Sequence, residues 1–350
     1  MFFFKNIEWY EPSLGQKAWV EYTQSYQITS SCSWQMTHTF KMPLIVSRAV
    51  RSLKRRVRYN LHPRAIVWRY WRKHCPNKPI ITRLGKDLKV RVYPHDVIGE
   101  RIYIDGVFEP DCWNFVGRFL KEGMVVFDLG ANLGQYTLLA AKCVGRKGRV
   151  YSFEPSSRMF GELEFNVRLN GLLDVCVLNR AAVSDATGMA RLSRYEEGAE
   201  VFGSIGSHKR KEASIIGYEE VRTITLDDYI KDTGINRVDF MKIDIEGAEL
   251  LALRGARNLL SRSDSPAILL EVEDVNTSGF GYKAIEIWDY LRSLGYRMYS
   301  FERFRSRLEI VERPEESSLS RNLVAMKNAS HGYEGAEGAN PEKSSHQLAK

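Results

Sequence analysis

The chain has 350 residues and a formal net charge of +8; 44% of its residues are hydrophobic and 27% are charged. These values are typical of a soluble globular protein with one large domain or two small ones. No apolar run approaches the ~18 residues that a membrane-spanning helix needs. The opening MFFFK is apolar before it is basic, which is not the order of a secretory signal. The sequence therefore predicts a cytoplasmic protein.

The positive charge is concentrated near the N-terminus. Between Tyr22 and Lys86 there are 14 Lys or Arg and no Asp or Glu, so the rest of the chain is net negative. Within this segment, apolar residues recur at the spacing of one helix face: Val46, Val50, Leu53, Val57 and Leu61. A basic amphipathic helix suits an anionic membrane surface, so we expect peripheral contact with the inner face of the membrane through residues 42–73. The alternative is a helix that packs on the main domain with solvated charges.

Changes in pattern divide the chain into four parts. Residues 1–86 are the basic N-terminal extension, expected to be partly helical or disordered, with Met42 as an alternative start. Residues 87–123 predict a short module with strands at Leu88–Tyr93 and Arg101–Ile104 and a helix at Cys112–Leu120. Residues 124–327 form the main domain. Residues 328–350 lack an apolar cluster and predict a disordered tail.

From Met124 onward, buried strands alternate with helices. The predicted strands are 125–127, 149–153, 175–178, 238–245 and 267–272. The predicted helices are 133–144, 155–170, one running through Leu250 and Leu260, and 283–294. This alternation, with continuously apolar strands, predicts an α/β fold in which a mostly parallel sheet has helices on both faces. Residues 184–225 interrupt the alternation and predict an irregular insertion.

The clearest motif is a strand followed by a glycine-rich turn, VFDLGANLG at 126–134. In an open parallel sheet, ligands bind at the carboxyl ends of the strands, near the point where the strand order reverses. Gly130 and Gly134 would let the backbone approach a ligand closely. The next strand ends in Glu154, and a carboxylate at that position suits the two hydroxyls of a ribose. The pattern therefore indicates a ligand that contains a nucleoside.

Two such ligands compete for this loop. A dinucleotide requires G-x-G-x-x-G and places its pyrophosphate on the helix N-terminus, but Asn132 replaces the second glycine. Asp128 would repel a pyrophosphate, whereas it suits the ammonium group of S-adenosylmethionine, which carries no phosphate. The loop therefore favours S-adenosylmethionine; the remaining alternative is a tight turn that binds no ligand. Asp185, past the third strand, is either a contact to the adenine amino group or a turn residue.

A second distinctive run, DFMKIDIEGAE at 239–249, is followed by LRGA at 253–256 and LLEV at 269–272. Together with the glycine loop and FEP at 153–155, these motifs closely resemble the FkbM family of methyltransferases. GVFE at 106–109 and TLDD at 225–228 fit the same pattern. The resemblance covers about residues 87–327. The KIDIEGAE run is its most specific element, because the glycine loop is shared with other class I methyltransferases.

The resemblance implies a Rossmann-like class I methyltransferase sheet of seven strands. It also implies O-methylation of a hydroxyl on a sugar, glycolipid or natural product, so the expected acceptor is a glycan or a lipid-linked glycan. Carried over residue by residue, it implies cofactor contacts at six positions: Asp128, Gly130, Ala131, Asn132, Gly134 and Glu154. Asp244 and Glu246 are then expected to line the site at the end of the fourth strand.

An acceptor hydroxyl loses its proton during methyl transfer, so a base is useful. Asp244 and Glu246 are the first candidates, although either acid is equally interpretable as an ion-pair partner of Lys242 that only holds local structure. Further candidates are Glu271 and Glu273 at the next strand end and His208 in the insertion. Carboxylates at adjacent strand ends are ligands that Mg²⁺ prefers, but no metal is expected.

Other functions fit the residues less well. A nucleotide-dependent oxidoreductase lacks the fingerprint glycine, and acids at both strand ends argue against a protein that binds the cofactor without catalysis. The basic segment suggests a methyltransferase that acts on nucleic acid as another alternative. However, no Asn-Pro-Pro-aromatic run supports base methylation, and no nucleic-acid partner is expected. The five cysteines lack metal-ligand spacing.

Overall fold

The computed structural model describes residues 62–195, 205, 215–301, 308–311, 313 and 320–327. Several predictions fall outside these residues: the apolar stripe at 46–61, the alternative start at Met42, the candidate base His208 and the tail at 328–350. Among the described residues, no helix has both the length and the apolar character needed to cross a membrane.

The helices, in chain order, are α1 Pro63–His74, α2 Val97–Asp105, α3 Pro110–Phe119, α4 Gln135–Val144, α5 Ser157–Leu169, α6 Leu226–Thr233, α7 Glu249–Arg254, α8 Arg257–Ser261, α9 Asp274–Thr277 and α10 Ala284–Ser293. A short 3₁₀ turn, Ser278–Phe280, follows α9.

The strands, in chain order, are β1 Ile80–Leu84, β2 Leu88–Val92, β3 Val125–Leu129, β4 Arg149–Phe153, β5 Cys176–Asn179, β6 Ala182–Val183, β7 Gly188–Tyr195, β8 Ile215–Ile224, β9 Phe240–Ile243, β10 Ala267–Glu273, β11 Arg297–Phe301, β12 Leu308–Ile310 and β13 Ser320–Met326.

The main sheet has eight strands in the order β12-β11-β13-β10-β9-β3-β4-β5. The five strands from β10 to β5 are parallel, while β13, β11 and β12 join by antiparallel pairing. Seven of these strands form the mostly parallel sheet that the resemblance implies, and β12 adds a short edge strand. From β3 the chain first builds outward through β4 and β5, then returns to the other side of β3 with β9. The strand order therefore reverses between β3 and β9, where ligands bind in open α/β sheets.

Helices cover both faces of this sheet, as the apolar strands predict. One face packs on α3, α4 and α5, with Phe115, Leu138 and Leu163 in its core. The opposite face packs on α7, α8 and α10, with Leu253 and Trp288 in its core. Because strand side chains alternate between faces, every second residue of β3, β9 and β10 points towards α3 and α4. That face carries the polar residues of the site.

The module before the main domain differs from its prediction. The strand at 88–93 is present as β2 and pairs with β1, which the sequence did not indicate. The strand predicted at Arg101–Ile104 is wrong, because these residues belong to the helix α2. The four-residue alternation was too short to outweigh Ile98 and Ile102, which lie one helical turn apart and pack on the core. The helix α3 is confirmed.

The irregular insertion predicted at 184–225 is also wrong in its main feature. Strands β7 and β8 form a long antiparallel pair, and β8 also pairs with β6 in a three-stranded sheet. Charged residues such as Arg191, Arg194 and Arg222 interrupt these strands, so their sequence lacks the continuous apolar runs that mark the buried parallel strands. Leu192 of β7 nevertheless lines the cleft at the carboxyl ends of the central strands.

Candidate active site

A cleft that encloses about 600 Å³, including space open to solvent, lies at the carboxyl ends of β3, β4 and β9. Its polar lining includes Asn132, Glu154, Ser156, Asp244 and Glu246, and the backbone of Gly130 completes that side. Its apolar lining comprises Phe153, Pro155, Ala181, Ala182, Val183, Leu192, Ile205, Ile245 and Ala248. The cleft thus combines a broad apolar wall with carboxylates at one end.

The glycine loop is held against the ends of two strands. The backbone N–H groups of Gly130 and Ala131 both donate to the carbonyl of Phe153, over 2.9 and 3.0 Å. A Cβ on Gly130 would lie 1.8 Å from the carbonyl oxygen of Asp244, and Gly130 has a φ of +76°. Any side chain here would push β3 and β9 apart. Glycine at 130 therefore lets the two strand ends that bear the site approach each other.

Gly134 immediately precedes α4 and has a φ of +99°, a backbone conformation that favours glycine. A Cβ there would also lie 2.9 Å from Leu163 Cδ1. The contact between Gly134 and a ligand remains a prediction. Ala131 and Asn132 do line cavities, and Asn132 adopts a left-handed φ of 53°.

Glu154 lies where the sequence places it, at the end of β4 and facing the cleft. Its two carboxylate oxygens accept hydrogen bonds from the backbone N–H groups of Asn132 and Ser156, each over 2.9 Å. Glu154 is 6% exposed. Burial raises the pKa of Glu154 to about 7, although the two hydrogen bonds act to lower it. The carboxylate is therefore fixed in direction and retains acceptor capacity for a ligand.

Asp128 does not line the cleft. It is 1% exposed, and its Oδ2 accepts a 2.6 Å hydrogen bond from Thr137 Oγ1. Its Oδ1 has no hydrogen-bond partner among the described residues. Burial raises the pKa of Asp128, while nearby Lys242 lowers it. Asp128 therefore lies in the sheet behind the loop, and its direct contact with a ligand ammonium remains a prediction.

Lys242 is the charged centre of the site. Lys242 is 6% exposed and lies opposite Asp128 in the β3–β9 register. Its Nζ donates a hydrogen bond to Asp244 Oδ2 over 2.9 Å. Burial alone would lower the pKa of Lys242, but the carboxylates of Asp244, Asp128 and Glu109 outweigh it and raise the pKa. The ion pair predicted between Lys242 and Asp244 is thus present, and it lies in the cleft wall.

The module before the main domain closes over this centre. Glu109 accepts hydrogen bonds from Tyr136 Oη over 3.2 Å and from Asn322 Nδ2 over 2.6 Å. The Tyr136 ring lies 4.8 Å from Lys242 Nζ. Glu109 holds a left-handed φ of 51°, which costs about 1–3 kcal/mol in a non-glycine residue. The Gln135 side chain donates to and accepts from the backbone of Phe108, over 3.0 and 2.8 Å.

A second cavity of about 440 Å³ lies under this closure. It shares Gly130, Asn132, Asp244 and Glu246 with the first cleft. Its remaining lining comes from the preceding module, the glycine loop, α4 and β9: Ile98, Phe108, Ala131, Leu133, Gln135, Tyr136 and Lys242. The two cavities therefore meet at the acids that end β9, as two ligands brought together at one point would require.

Three carboxylates gather at that meeting point. Oxygens of Asp244, Glu246 and Glu271 lie within 4.8 Å of one another, a spacing that could hold a divalent cation. Burial, followed by repulsion from Asp244 and Glu246, raises the pKa of Glu271 to about 10. Glu271 is therefore protonated near neutral pH. The Lys242 ammonium, 2.9 Å from Asp244, already supplies positive charge beside these acids.

The last acid of the KIDIEGAE run has a structural role. Glu249 Oε1 accepts from the backbone N–H groups of Gly247 and Ile245 over 3.0 and 3.3 Å, and so closes the turn from β9 into α7. Tyr282 Oη donates to the carbonyl of Gly247 in the same turn. This turn presents Glu246, with a φ of 54°, to the cleft.

Other predicted residues are not brought to the cleft. Asp185 is exposed, and the described lining from this part of the chain consists of Ala181, Ala182 and Val183. Its predicted adenine contact therefore has no geometric support. Glu273 lies two residues beyond Glu271 on β10 and is partly buried, and its charge helps to raise the pKa of Glu271.

Sequence reasoning did not assign a role to Glu109, Tyr136 or Asn322. GVFE at 106–109 was recognised as a pattern, but nothing local shows that Glu109 meets residues of α4 and β13. Asn322 is brought there by the antiparallel pairing of β13 with β10, in which it stands opposite Glu271. Long-range register, which no single segment encodes, makes these contacts.

Replacing Lys242 with Met should destabilise the fold strongly. Removal of one partner from a buried ion pair costs about 3–5 kcal/mol, and the free energy of unfolding should fall by that amount at pH 8. The pKa values of Asp128 and Glu109, already raised by burial, should rise further without the ammonium. The folded variant then binds more protons than the unfolded chain. Its loss of unfolding free energy, relative to the unaltered protein, should therefore become smaller as the pH falls to 5.

Urea unfolding at both pH values measures this effect. Lys121→Met, at an exposed lysine, is the matched control and should change stability by less than about 0.5 kcal/mol. A loss of similar size in the two variants would show that Lys242 does not balance the buried carboxylates.

Part of the chain is similar to known methyltransferases. Residues 128–298 match the family model of the methyltransferase FkbM domain. The chain is 29% identical over 201 residues to the 31-O-demethyl-FK506 methyltransferase FkbM of Streptomyces tacrolimicus, covering 49% of this chain and 73% of that protein. It is 27% identical over 153 residues to the hexuronic acid methyltransferase AglP of Haloferax volcanii, covering 43% of this chain and 58% of that protein.

Among solved structures, the methyltransferase FkbM of Methylobacillus flagellatus aligns with a TM-score of 0.37 at 16% identity. The alignment covers 59% of this chain and 44% of that one. The matched family model begins at Asp128 and includes the glycine loop, Glu154 and the whole KIDIEGAE run. With these motifs at the carboxyl ends of β3, β4 and β9, residues 128–298 form a methyltransferase FkbM domain.

Proposed function

We propose that this protein transfers a methyl group from S-adenosylmethionine to a hydroxyl oxygen of a sugar, glycolipid or natural product. The observation that carries the proposal is the pair of cavities that share Asp244 and Glu246. One has the lining expected of a nucleoside site, and the other extends from the shared acids under the preceding module. A transferase must hold two substrates with their reacting atoms close together, and two cavities meeting at carboxylates suit that task.

The residues of the larger cleft fit S-adenosylmethionine. Glu154 is suited to the ribose hydroxyls, because its carboxylate is held in place by two backbone N–H groups. The apolar residues Phe153, Ala182 and Ile245 are suited to the adenine ring. The backbone of Gly130 also lines this cleft and is suited to the methionine part. When bound, this cofactor supplies a methyl group activated by its sulfonium.

Two features count against a dinucleotide. Asn132 occupies the position of a fingerprint glycine, and its backbone N–H already donates to Glu154 rather than remaining open to a phosphate. Asp244 and Glu246 in the cleft wall would repel a pyrophosphate.

The smaller cavity is proposed to bind the acceptor. Phe108 and Tyr136 offer aromatic surface, and Gln135, Asp244 and Glu246 offer hydrogen-bonding groups. Such a mixture suits a hydroxyl-bearing ring, whose C–H face is apolar and whose edge is polar. A glycan carried on a lipid would bring the reaction to a membrane surface, where the sequence predicts contact through residues 42–73.

Asp244 and Glu246 are proposed to receive the proton that the acceptor hydroxyl loses. Both line the two cavities, whereas Glu271, whose pKa is raised to about 10, is already protonated near neutral pH. The Lys242 ammonium donates to Asp244 and fixes the direction of that carboxylate. Because Lys242 supplies positive charge, the proposed reaction needs no metal ion.

Cofactor affinity should depend on the ionisation of Glu154. Burial raises the pKa of Glu154 to about 7, so this group is mostly protonated at pH 6 and mostly ionised at pH 8. Two ribose hydroxyls donate best to the ionised form, and affinity should therefore fall about tenfold from pH 8 to pH 6. Glu154→Gln should weaken binding at pH 8 by about 1–3 kcal/mol and remove the pH dependence.

Calorimetric titration with S-adenosylmethionine at the two pH values measures both effects. Glu164→Gln, at a partly exposed acid on α5 that pairs with Arg168, is the control and should keep the affinity and pH dependence of the unaltered protein. A pH dependence that persists in Glu154→Gln would assign the titration to another group.

Asp244→Asn should lower the turnover rate about 100-fold or more, because a positioned base contributes that much to proton transfer, and cofactor affinity should remain largely intact. The assay follows label from the methyl group of S-adenosylmethionine into a glycan and glycolipid fraction of a cell lysate, with and without EDTA. Asp185→Asn, at the exposed acid outside the cleft, is the matched control.

Full activity in both Asp244→Asn and Glu246→Gln would remove these carboxylates from the chemistry. A loss of activity with EDTA, restored by Mg²⁺, would assign the three-carboxylate cluster to a metal instead.

A further inference from the structure

Helix α1 has two contrasting faces. Its inner face carries Ala65 and Trp68, and Trp68 is fully buried with its ring 5.2 Å from that of Tyr103 on α2. Its outer face carries three large apolar or aromatic residues that stay exposed: Ile66 at 50%, Val67 at 51% and Tyr70 at 66%. Single exposed apolar residues are common on protein surfaces, but three within about one turn of one helix form a patch.

Helical geometry confirms that these residues share a face. With 3.6 residues per turn, positions 66, 67 and 70 fall within an arc of about 100°, opposite to the arc that contains Ala65 and Trp68. His74 falls within the same outer arc, and its ring stacks on that of Tyr70 with centroids 4.4 Å apart. The patch is therefore an apolar stripe that α1 presents away from the domain.

Cations flank this stripe. Arg69 and Lys73 lie along one edge and are exposed, while Arg64 lies along the other edge and donates to the Tyr103 carbonyl over 3.1 Å. No Asp or Glu occurs in α1, or anywhere from Tyr22 to Lys86. On the neighbouring α2, Asp105 already pairs with Arg101 over 3.2 Å.

We infer that the outer face of α1 docks on an anionic lipid bilayer. Ile66, Val67 and Tyr70 enter the boundary between headgroups and acyl chains, and Arg69 and Lys73 meet the lipid phosphates. Exposed aliphatic side chains between cations suit this boundary, whereas a phosphodiester backbone would find no partner for Ile66 and Val67. Charge complementarity and the apolar stripe together therefore favour a membrane over a nucleic acid.

The location of α1 connects this surface with the acceptor cavity. Trp68 of α1 packs on Tyr103 of α2, and Ile98 at the start of α2 lines that cavity. One helix thus separates the docking face from the proposed acceptor site. That this arrangement would bring a lipid-linked acceptor to the cavity rests on the proposed function. Docking of α1 on a membrane does not itself require methyl transfer.

Co-sedimentation of the full chain with vesicles tests the inference, without cofactor or acceptor. Vesicles of phosphatidylcholine mixed with phosphatidylglycerol should retain the protein, retention should fall with added salt, and pure phosphatidylcholine should retain little. The triple variant Ile66→Ser, Val67→Ser, Tyr70→Ser should bind the anionic vesicles at least about tenfold more weakly, as should Arg69→Gln with Lys73→Gln.

The chain offers a matched control on the β7–β8 sheet, where Met189, Ile216 and Tyr218 are 67%, 58% and 53% exposed. The triple variant Met189→Ser, Ile216→Ser, Tyr218→Ser removes similar apolar surface and should bind like the unaltered protein. Urea unfolding should give the same midpoint for all variants, because the altered side chains lie outside the core.

Two results would overturn the inference. Unchanged vesicle binding in both α1 variants would place any membrane contact in another segment. Binding of single-stranded RNA that weakens in the Arg69 and Lys73 variant, with no retention on anionic vesicles, would assign the surface to nucleic acid. Neither result would affect the binding of S-adenosylmethionine, so failure of the docking surface and failure of the proposed function are distinguishable.

Discussion

The buried ammonium of Lys242 is the interaction on which the rest of the site depends. Asp128 and Asp244 lie on adjacent parallel strands and face the same side of the sheet as Glu109, so their charges would repel one another in a poorly solvated space. Lys242 lies among them, paired with Asp244 and opposite Asp128. A buried charge without a partner costs several kcal/mol, so the cation and the acids must be present together.

This arrangement determines the shape of the site. The carboxyl ends of β3 and β9 approach so closely that Gly130 has no room for a side chain beside the Asp244 carbonyl. The acids that end β9 then lie in the wall shared by the two cavities. Glu109 and Gln135 fasten the preceding module over that wall through Tyr136, Asn322 and Phe108. Glu109 keeps a strained backbone there, as residues at functional sites often do.

Local signals predicted the parts of the fold that local physics determines. Continuous apolar runs identified the central parallel strands, and the glycines and Glu154 marked the cleft, because these features lie within single segments. Two other parts were missed. Alternation over four residues did not distinguish a strand from the helix α2, and the charged residues that interrupt β7 and β8 hid their pairing. In the site, Asp244 and Glu246 were placed correctly, but Tyr136 and Asn322 depend on contacts between distant segments.

The glycine motif shows a further limit of motif reasoning. Asp128 and Gly134 both belong to it, yet Asp128 is buried behind the loop and neither residue lines either of the two cavities. A motif marks where a site lies, but each of its residues can serve the ligand, the packing or the charge balance.

The proposed function requires that the cleft bind S-adenosylmethionine rather than a dinucleotide. Calorimetry on the full chain with S-adenosylmethionine and, separately, with NAD tests this claim most directly. We predict micromolar binding of S-adenosylmethionine and no comparable heat with NAD. Tight binding of NAD, without a response to S-adenosylmethionine, would contradict it.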